Sequence, residues 1–169
     1  QVRYYMSILA KDSSLRAAII FGTDKCFAAG AELAEVTVLT PDQALEFGSL
    51  GQSTMQSVER SRKPVIAAIR GFCMGGGFDL ALSCHRRIAT SDAILAHRGA
   101  ALGIVTGWGG TQRLPRVLGP RGHSIAMEML VAGRRINAAE AFTLKLISGI
   151  VPSASLIDEA AKLTVRATQ

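Results

Sequence analysis

Hydrophobic positions in this chain fall in short blocks that alternate between two periods. Residues 64–70 (PVIAAIR) form a continuous apolar run, rich in β-branched residues and opened by proline, which is the pattern of a buried strand. Residues 15–21 (LRAAIIF) read the same way. Residues 78–84 are instead apolar at helical spacing and carry one carboxylate, Asp79. Residues 2–11 predict a helix without a cap. Thr40, Pro41, Asp42 and Gln43 make a capping box with proline at the first helical position. The amphipathic helix it opens runs to about Arg60, with Gly48 and Gly51 as weak points. Residues 87–90 and 93–96 read as short strands around a turn at Ser91 and Asp92.

From Thr111 the pattern turns helical. Pro115 is expected to bend or end one short helix, and Gly119-Pro120 to break it. Residues 121–130 predict another helix with methionines on its apolar face. Asn137 to Glu140 is a second capping box, opening a helix to about Leu146. Residues 148–151 predict a short strand, and Ser155 caps a last amphipathic helix. Strands alternate with helices and no linker or low-complexity tract intervenes. The expected class is α/β, with residues 1–169 as one domain.

Glycine supplies the candidate chemistry. Gly75-Gly76-Gly77 stands between the run at 64–70 and the helical block that holds Asp79. Glycines at a strand-to-helix junction permit positive φ and let a ligand approach the peptide N–H groups. A second small-residue loop, FAAGAEL at 27–33, also follows a strand. The bland alternatives are a tight turn for the triplet and dipole compensation for Asp79. Residues 99–110 are glycine-rich and hold the only tryptophan, Trp108. A loop of that composition lines a site or wraps one. Trp108 reads equally as core or as pocket lining.

Composition narrows the classes. Of 169 residues, 49% are hydrophobic and only 5% aromatic, as in a layered α/β protein rather than a β-sandwich. No apolar run approaches the ~20 residues that span a bilayer. No signal-peptide pattern opens the chain, so a cytoplasmic location is expected. The chain starts without methionine, and a fragment of a longer protein is expected. Cys26, Cys73 and Cys84 show no CxxC spacing and read as reduced thiols, two of them in apolar contexts. No cluster has metal-ligand spacing. The net charge of +6 is spread over small basic groups: His85-Arg86-Arg87, Arg113 with Arg116, and Arg134-Arg135. A solvated surface explains most of them, and an anionic ligand could account for part.

FAAGAEL, KPVIAAIRGFCMGGGFDLA and GWGGTQRLPRVLG occur in the order and spacing of the crotonase superfamily, the enoyl-CoA hydratases and isomerases. The later AMEMLVAGRRINAAEAFTLKLI resembles the helical segment that follows in those proteins, so the resemblance covers residues 15–163. It implies a spiral of repeated ββα units and an acyl-CoA thioester as substrate, with no separate cofactor. It implies that the thioester carbonyl is held by two backbone N–H groups, at Ala31 and Gly76. Ala29, Gly30, Ala31 and Leu33 match the segment that contacts CoA, and Gly99 and Trp108 join the substrate-binding set. It further implies a homotrimer or hexamer, and neither membrane nor nucleic acid as partner. The initial strand pair and the carboxy-terminal helices of such proteins are absent from this sequence.

One departure matters for the reaction. Hydratases of the superfamily place two glutamates around a water. The first falls at Asp79, and the second at Gly99, which has no side chain. Efficient hydration is therefore not expected. Asp79 alone could act as a one-base catalyst in isomerisation or C–C chemistry; the superfamily includes such aspartates, and naphthoyl-CoA synthases with glycine at the second position, where a bicarbonate stands in. His97 could replace the lost base, although a lone histidine at a strand end is commonly structural. The protein could also bind acyl-CoA with little catalysis. RNA binding, known for one relative with a basic helix, is disfavoured because no helix here presents a continuous lysine row.

Overall fold

The structure, a computed structural model, describes residues 1–166. In chain order it forms α1 (Val2–Lys11), β1 (Ala18–Phe21), β2 (Cys26–Ala28), α2 (Leu33–Val36), α3 (Pro41–Glu59), β3 (Val65–Ile69), β4 (Phe72–Met74) and α4 (Gly76–Ser83). There follow β5 (Arg86–Ala89), β6 (Ile94–Ala96), α5 (Gly110–Leu118), α6 (His123–Val131), β7 (Ile136–Asn137), α7 (Ala138–Thr143) and α8 (Leu156–Arg166). Short 3-10 turns at Gly99–Leu102, Pro120–Gly122 and Ser153–Ser155 link them.

The strands divide between two sheets in strict alternation. β1, β3 and β5 form one parallel sheet, while β2, β4 and β6 form a second, with β7 antiparallel on β6. Each turn of chain therefore delivers one strand to each sheet and then a helix: β1–β2–α3, β3–β4–α4, β5–β6–α5. That is a ββα spiral, rising one strand per turn, with Ile19 beside Ile66 and Ile66 beside Arg86. β3 is the central strand of its sheet and is buried on both faces, which is why its sequence reads as one unbroken apolar run. Val65, Ala67 and Ile69 join the main core with Phe78, Leu95, Leu114 and Met129. Ile66 and Ala68 point the other way, into a smaller cluster with Ile88, Leu156 and Ala160 beneath α8.

Several sequence expectations need correction. The glycine triplet does not follow β3 directly. Gly71, at φ +59°, turns the chain into β4, a three-residue strand too short to leave a periodic signal, and the triplet follows that. Only Gly75 of the three has positive φ; Gly76 and Gly77 already lie in α4. The strand foreseen at 15–21 is limited to Ala18–Phe21, with Phe21 exposed, because β1 lies at the edge of its sheet. The strands around Ser91 and Asp92 are present, as β5 and β6, and they belong to different sheets. Pro115 stands inside α5 without ending it, and in α6 Met127 is exposed, so Met129 is the methionine between residues 126 and 130 that reaches the core. The Thr40 capping box is present on both sides, whereas at Asn137 only the side-chain half forms. Glu140 turns instead to Arg134. Residues 148–151 contribute a single bridge, Ile150 to Ala89. Ser155 lies in a 3-10 turn, with its hydroxyl on the Pro152 carbonyl.

Two basic residues assigned to the surface are buried and structural. Arg87 donates to the carbonyls of Ala81, Cys84 and Leu146, so it satisfies the end of α4 and ties it to the segment after α7. Arg113 donates to Glu59 and to the Trp108 carbonyl. His85 and Arg86 are exposed, as expected. Cys73 and Cys84 are free and buried, and Cys26 is free and half-buried.

Candidate active site

Two loops meet at the start of α4. Gly30, at φ +105°, packs so closely that a Cβ built on it would sit 3.1 Å from the Gly76 nitrogen and 3.3 Å from the Met74 carbonyl oxygen. A larger residue would have to push the loops apart, so glycine is what permits this approach. Ala31 follows directly, with residues 29 and 30 exposed and Ala31 half-buried. Gly75 caps α4 at φ 51° and anchors its own N–H on Ala96. Among the described residues neither the Ala31 nor the Gly76 N–H has a backbone acceptor. Gly76 is the first residue of the helix, where N–H groups point away from the body of the helix and the dipole is positive.

Asp79 lies one turn further along α4 and is 1% exposed. The Thr106 hydroxyl donates to its Oδ2 at 2.6 Å, while Oδ1 has no hydrogen-bond partner. His97, 2% exposed, places Nε2 3.7 Å from that Oδ1, too far for a hydrogen bond, and both its ring nitrogens are unpartnered. The imidazole stacks against Phe78, with centroids 4.9 Å apart. Gly110 closes this space, since a Cβ there would run into Asp79 Oδ1 and the His97 ring. Burial pushes Asp79 up to about 6, with the Thr106 hydrogen bond and the Arg113 charge offsetting only part of the shift. Burial also lowers His97, to about 4. The proton therefore prefers Asp79 to His97, and at neutral pH a carboxylate faces a neutral imidazole rather than an ion pair. That ordering argues against His97 as a base replacing a missing carboxylate.

Trp108 is wedged between helices. A Cβ on Gly51 of α3 or on Gly76 of α4 would land within the indole, and Phe47 stacks on it at 5.1 Å. Gly51 is thus a seat for the indole rather than a weak point of the helix. Beyond the indole lies a polar cavity of about 790 Å³ between α3 and α5, walled by Gln52, Gln56, Glu59 and Arg113. Ala31, Gly76 and Asp79 do not line it.

The structure thus brings Gly30, Ala31, Gly76, Asp79 and Trp108 to one end of α4. Ala29 lies exposed in the same loop, and Leu33, 45% exposed, starts the short α2. Gly99 is a different case. Its Cβ direction is blocked by the Ile104 carbonyl, which also lies in the loop closed by the Ile104 N–H bond to Gly99. Thr106 carries no signal in the sequence, which marks Arg113 only as part of a basic group with Arg116. Nothing local marks a threonine in a glycine-rich loop as the partner of an aspartate 27 positions earlier. The basic groups are largely consumed internally: Arg70 pairs with Asp24, and Arg134 with Glu128 and Glu140. Among the described residues no helix is long and apolar enough to cross a membrane.

A ββα spiral with two apposed glycine loops at one helix start defines the crotonase class. The enoyl-CoA hydratase/isomerase family profile matches residues 6–169, and the chain belongs to that family. It is 40% identical, over 98% of its length and 63% of the relative's, to the crotonyl-CoA hydratase of Syntrophomonas wolfei. Against the short-chain-enoyl-CoA hydratase of Clostridium acetobutylicum it is 35% identical, covering 96% of this chain and 62% of that one. The crystal structure of an enoyl-CoA hydratase from Bacillus anthracis superposes with a TM-score of 0.90 at 36% identity, covering 98% of this chain and 63% of that one. The chain thus spans less than two thirds of the length of these relatives.

Proposed function

We propose that the chain forms the thioester-binding core of an acyl-CoA enzyme of the hydratase/isomerase type. In this reading the Ala31 and Gly76 N–H groups receive the thioester carbonyl oxygen, and Asp79 transfers the proton at the neighbouring carbon. The observation that supports it is the close approach of the Gly30 loop to Gly76, where neither the Ala31 nor the Gly76 N–H has a backbone acceptor, one helical turn before the buried Asp79. Donors aimed there favour the enolate-like oxygen of the transition state over the ground-state carbonyl, and one such donor is typically worth ~3 kcal/mol. A carboxyl group near 6 is matched to proton transfer near neutral pH. The exposed residues Ala29, Gly30 and Leu33 leave room for the CoA moiety along the same loop. A homotrimer or hexamer belongs to the same reading.

Position 99 offers neither a side chain nor space for one, so one-base chemistry, with slow hydration of crotonyl-CoA, is the favoured reaction. Calorimetry with a CoA thioester tests the binding half. Gly76→Pro removes the N–H and should weaken binding, while Gly76→Ala keeps the N–H and reports the cost of crowding Trp108. Equal binding by native protein and a folded Gly76→Pro variant defeats the assignment. Asp79→Asn keeps the shape and loses the base, so proton exchange that survives it places the chemistry elsewhere.

A further inference from the structure

The geometry points to Thr106 as the positioning residue of Asp79: its hydroxyl pins the carboxyl group by Oδ2 and so fixes the orientation in which the carboxyl group takes and returns a proton. The inference rests on the reading of Asp79 as the proton-transfer group. Its support is the inequality of the two carboxyl oxygens. Oδ2 accepts the 2.6 Å hydrogen bond from Thr106, whereas Oδ1 is buried with no hydrogen-bond partner. The terminal torsion of an aspartate is broad and nearly two-fold, and the Thr106 hydroxyl fixes it together with the Gly110 and Trp108 N–H groups that also face the carboxyl. A charge-assisted hydrogen bond of this length suffices to hold one orientation.

Thr106 is carried to Asp79 by the loop between Gly103 and Gly109, whose φ values of +70° and +107° are ones that other residues rarely adopt. The groups facing the carboxyl from the surrounding elements are His97 after β6, Arg113 on α5 and Cys73 on β4. His97 is neutral above about 4 and Cys73 is held as a thiol by burial, which leaves Arg113 as the fixed charge. In the step served, the Asp79 carboxylate takes a proton from the carbon beside the thioester carbonyl, and the C–H electron pair enters the enolate. The Asp79 carboxyl group then returns the proton to that carbon or to its vinylogous position, and no other reactant is consumed.

The test is a ¹³C carboxyl titration of the protein, with the Asp79 signal assigned by its loss in Asp79→Asn. Thr106→Val should raise the Asp79 midpoint by about one unit, because a donor to the ionised form is lost, and Thr106→Ser should restore it. With butyryl-CoA in D₂O, Thr106→Val should lower kcat for exchange at the carbon beside the carbonyl about tenfold at unchanged KM, with Ser again rescuing it. An unchanged midpoint in Thr106→Val, or a folded Thr106→Ser that does not restore it, overturns the proposal. A native protein that exchanges no deuterium defeats the functional reading instead. The titration is read without thioester and still decides whether Thr106 holds Asp79.

Discussion

The two walls around Asp79 are built differently. One is α4, where Phe78, Asp79, Ala81, Leu82 and Ser83 are all buried and the helix packs against β2, β4, α3 and α5. The other is the segment 99–109, where Ala101, Leu102, Gly103, Val105 and Gly107 are exposed and only Thr106 and Trp108 reach inward to touch α4. The acid thus rides on an element whose place is over-determined by packing. Its partners sit on a more exposed segment, held by the Thr106 hydroxyl, the Trp108 indole, Gln52 on the Gly107 carbonyl and Arg113 on the Trp108 carbonyl. Elements with few buried contacts open at lower free energy than the core, so the loop wall is the one expected to open first.

The largest expected effect is on the helix wall. Phe78 is fully buried and also supports His97, so Phe78→Ala should destabilise the protein by about 3–5 kcal/mol in denaturant unfolding. A loss below about 1 kcal/mol would show that α4 is not the anchored wall.

The buried pair gives a test by pH. Burial pushes Asp79 up to about 6 in the fold from the ordinary carboxyl value of 3.8, so the folded state holds the extra proton between those values. Stability from this group is highest in acid, and about 3 kcal/mol is lost as pH rises through about 6. His97 titrates near 4 against 6.5, so the unfolded chain holds the extra proton and stability falls by a similar amount as pH drops from 6.5 to 4. The slopes oppose, and between pH 4 and 6 the pair should leave the native protein's stability nearly flat. Asp79→Asn should expose the loss on acidification, and His97→Gln the gain. Identical pH slopes in all three proteins would contradict the burial of the pair.

Two glycines of α3 separate the indole seat from ordinary helix. Gly51→Ala drives a methyl into Trp108 and should cost about 1–3 kcal/mol, with a shift in the emission of the only tryptophan. Gly48 has open space around its Cβ direction, so Gly48→Ala should stabilise the protein by about 0.5–1 kcal/mol. Equal signs at the two positions would mean that Trp108 does not rest on Gly51. The smallest effect belongs to the loop wall itself. Val105 is 79% exposed, and Val105→Ala should change stability by no more than about 0.5 kcal/mol.

What the sequence determined by itself was local or two-sided. The unbroken apolar run of β3 announced a strand buried on both faces, because no alternation is possible when neither face meets water. The Thr40 box announced the start of α3, since capping is made within four residues. The glycine motifs around Gly30 and Gly76 and the carboxylate at Asp79 were legible for the same reason, their spacing along the chain being part of the motif. What only the tertiary structure decided was anything joining distant turns of the spiral. β4 is a strand because Phe72 and Cys73 find partners in β2 and β6, not because three residues carry a pattern. Gly51 is required by an indole 57 positions away, and Arg113 is buried because Glu59 is there to receive it. The inequality of the two Asp79 oxygens comes from a threonine 27 residues on, a contact set by how the third turn of the spiral folds over the second. Hydrogen bonds and close packing depend on positions in space to a few tenths of an ångström, and such positions are a property of the folded chain rather than of any window of its sequence.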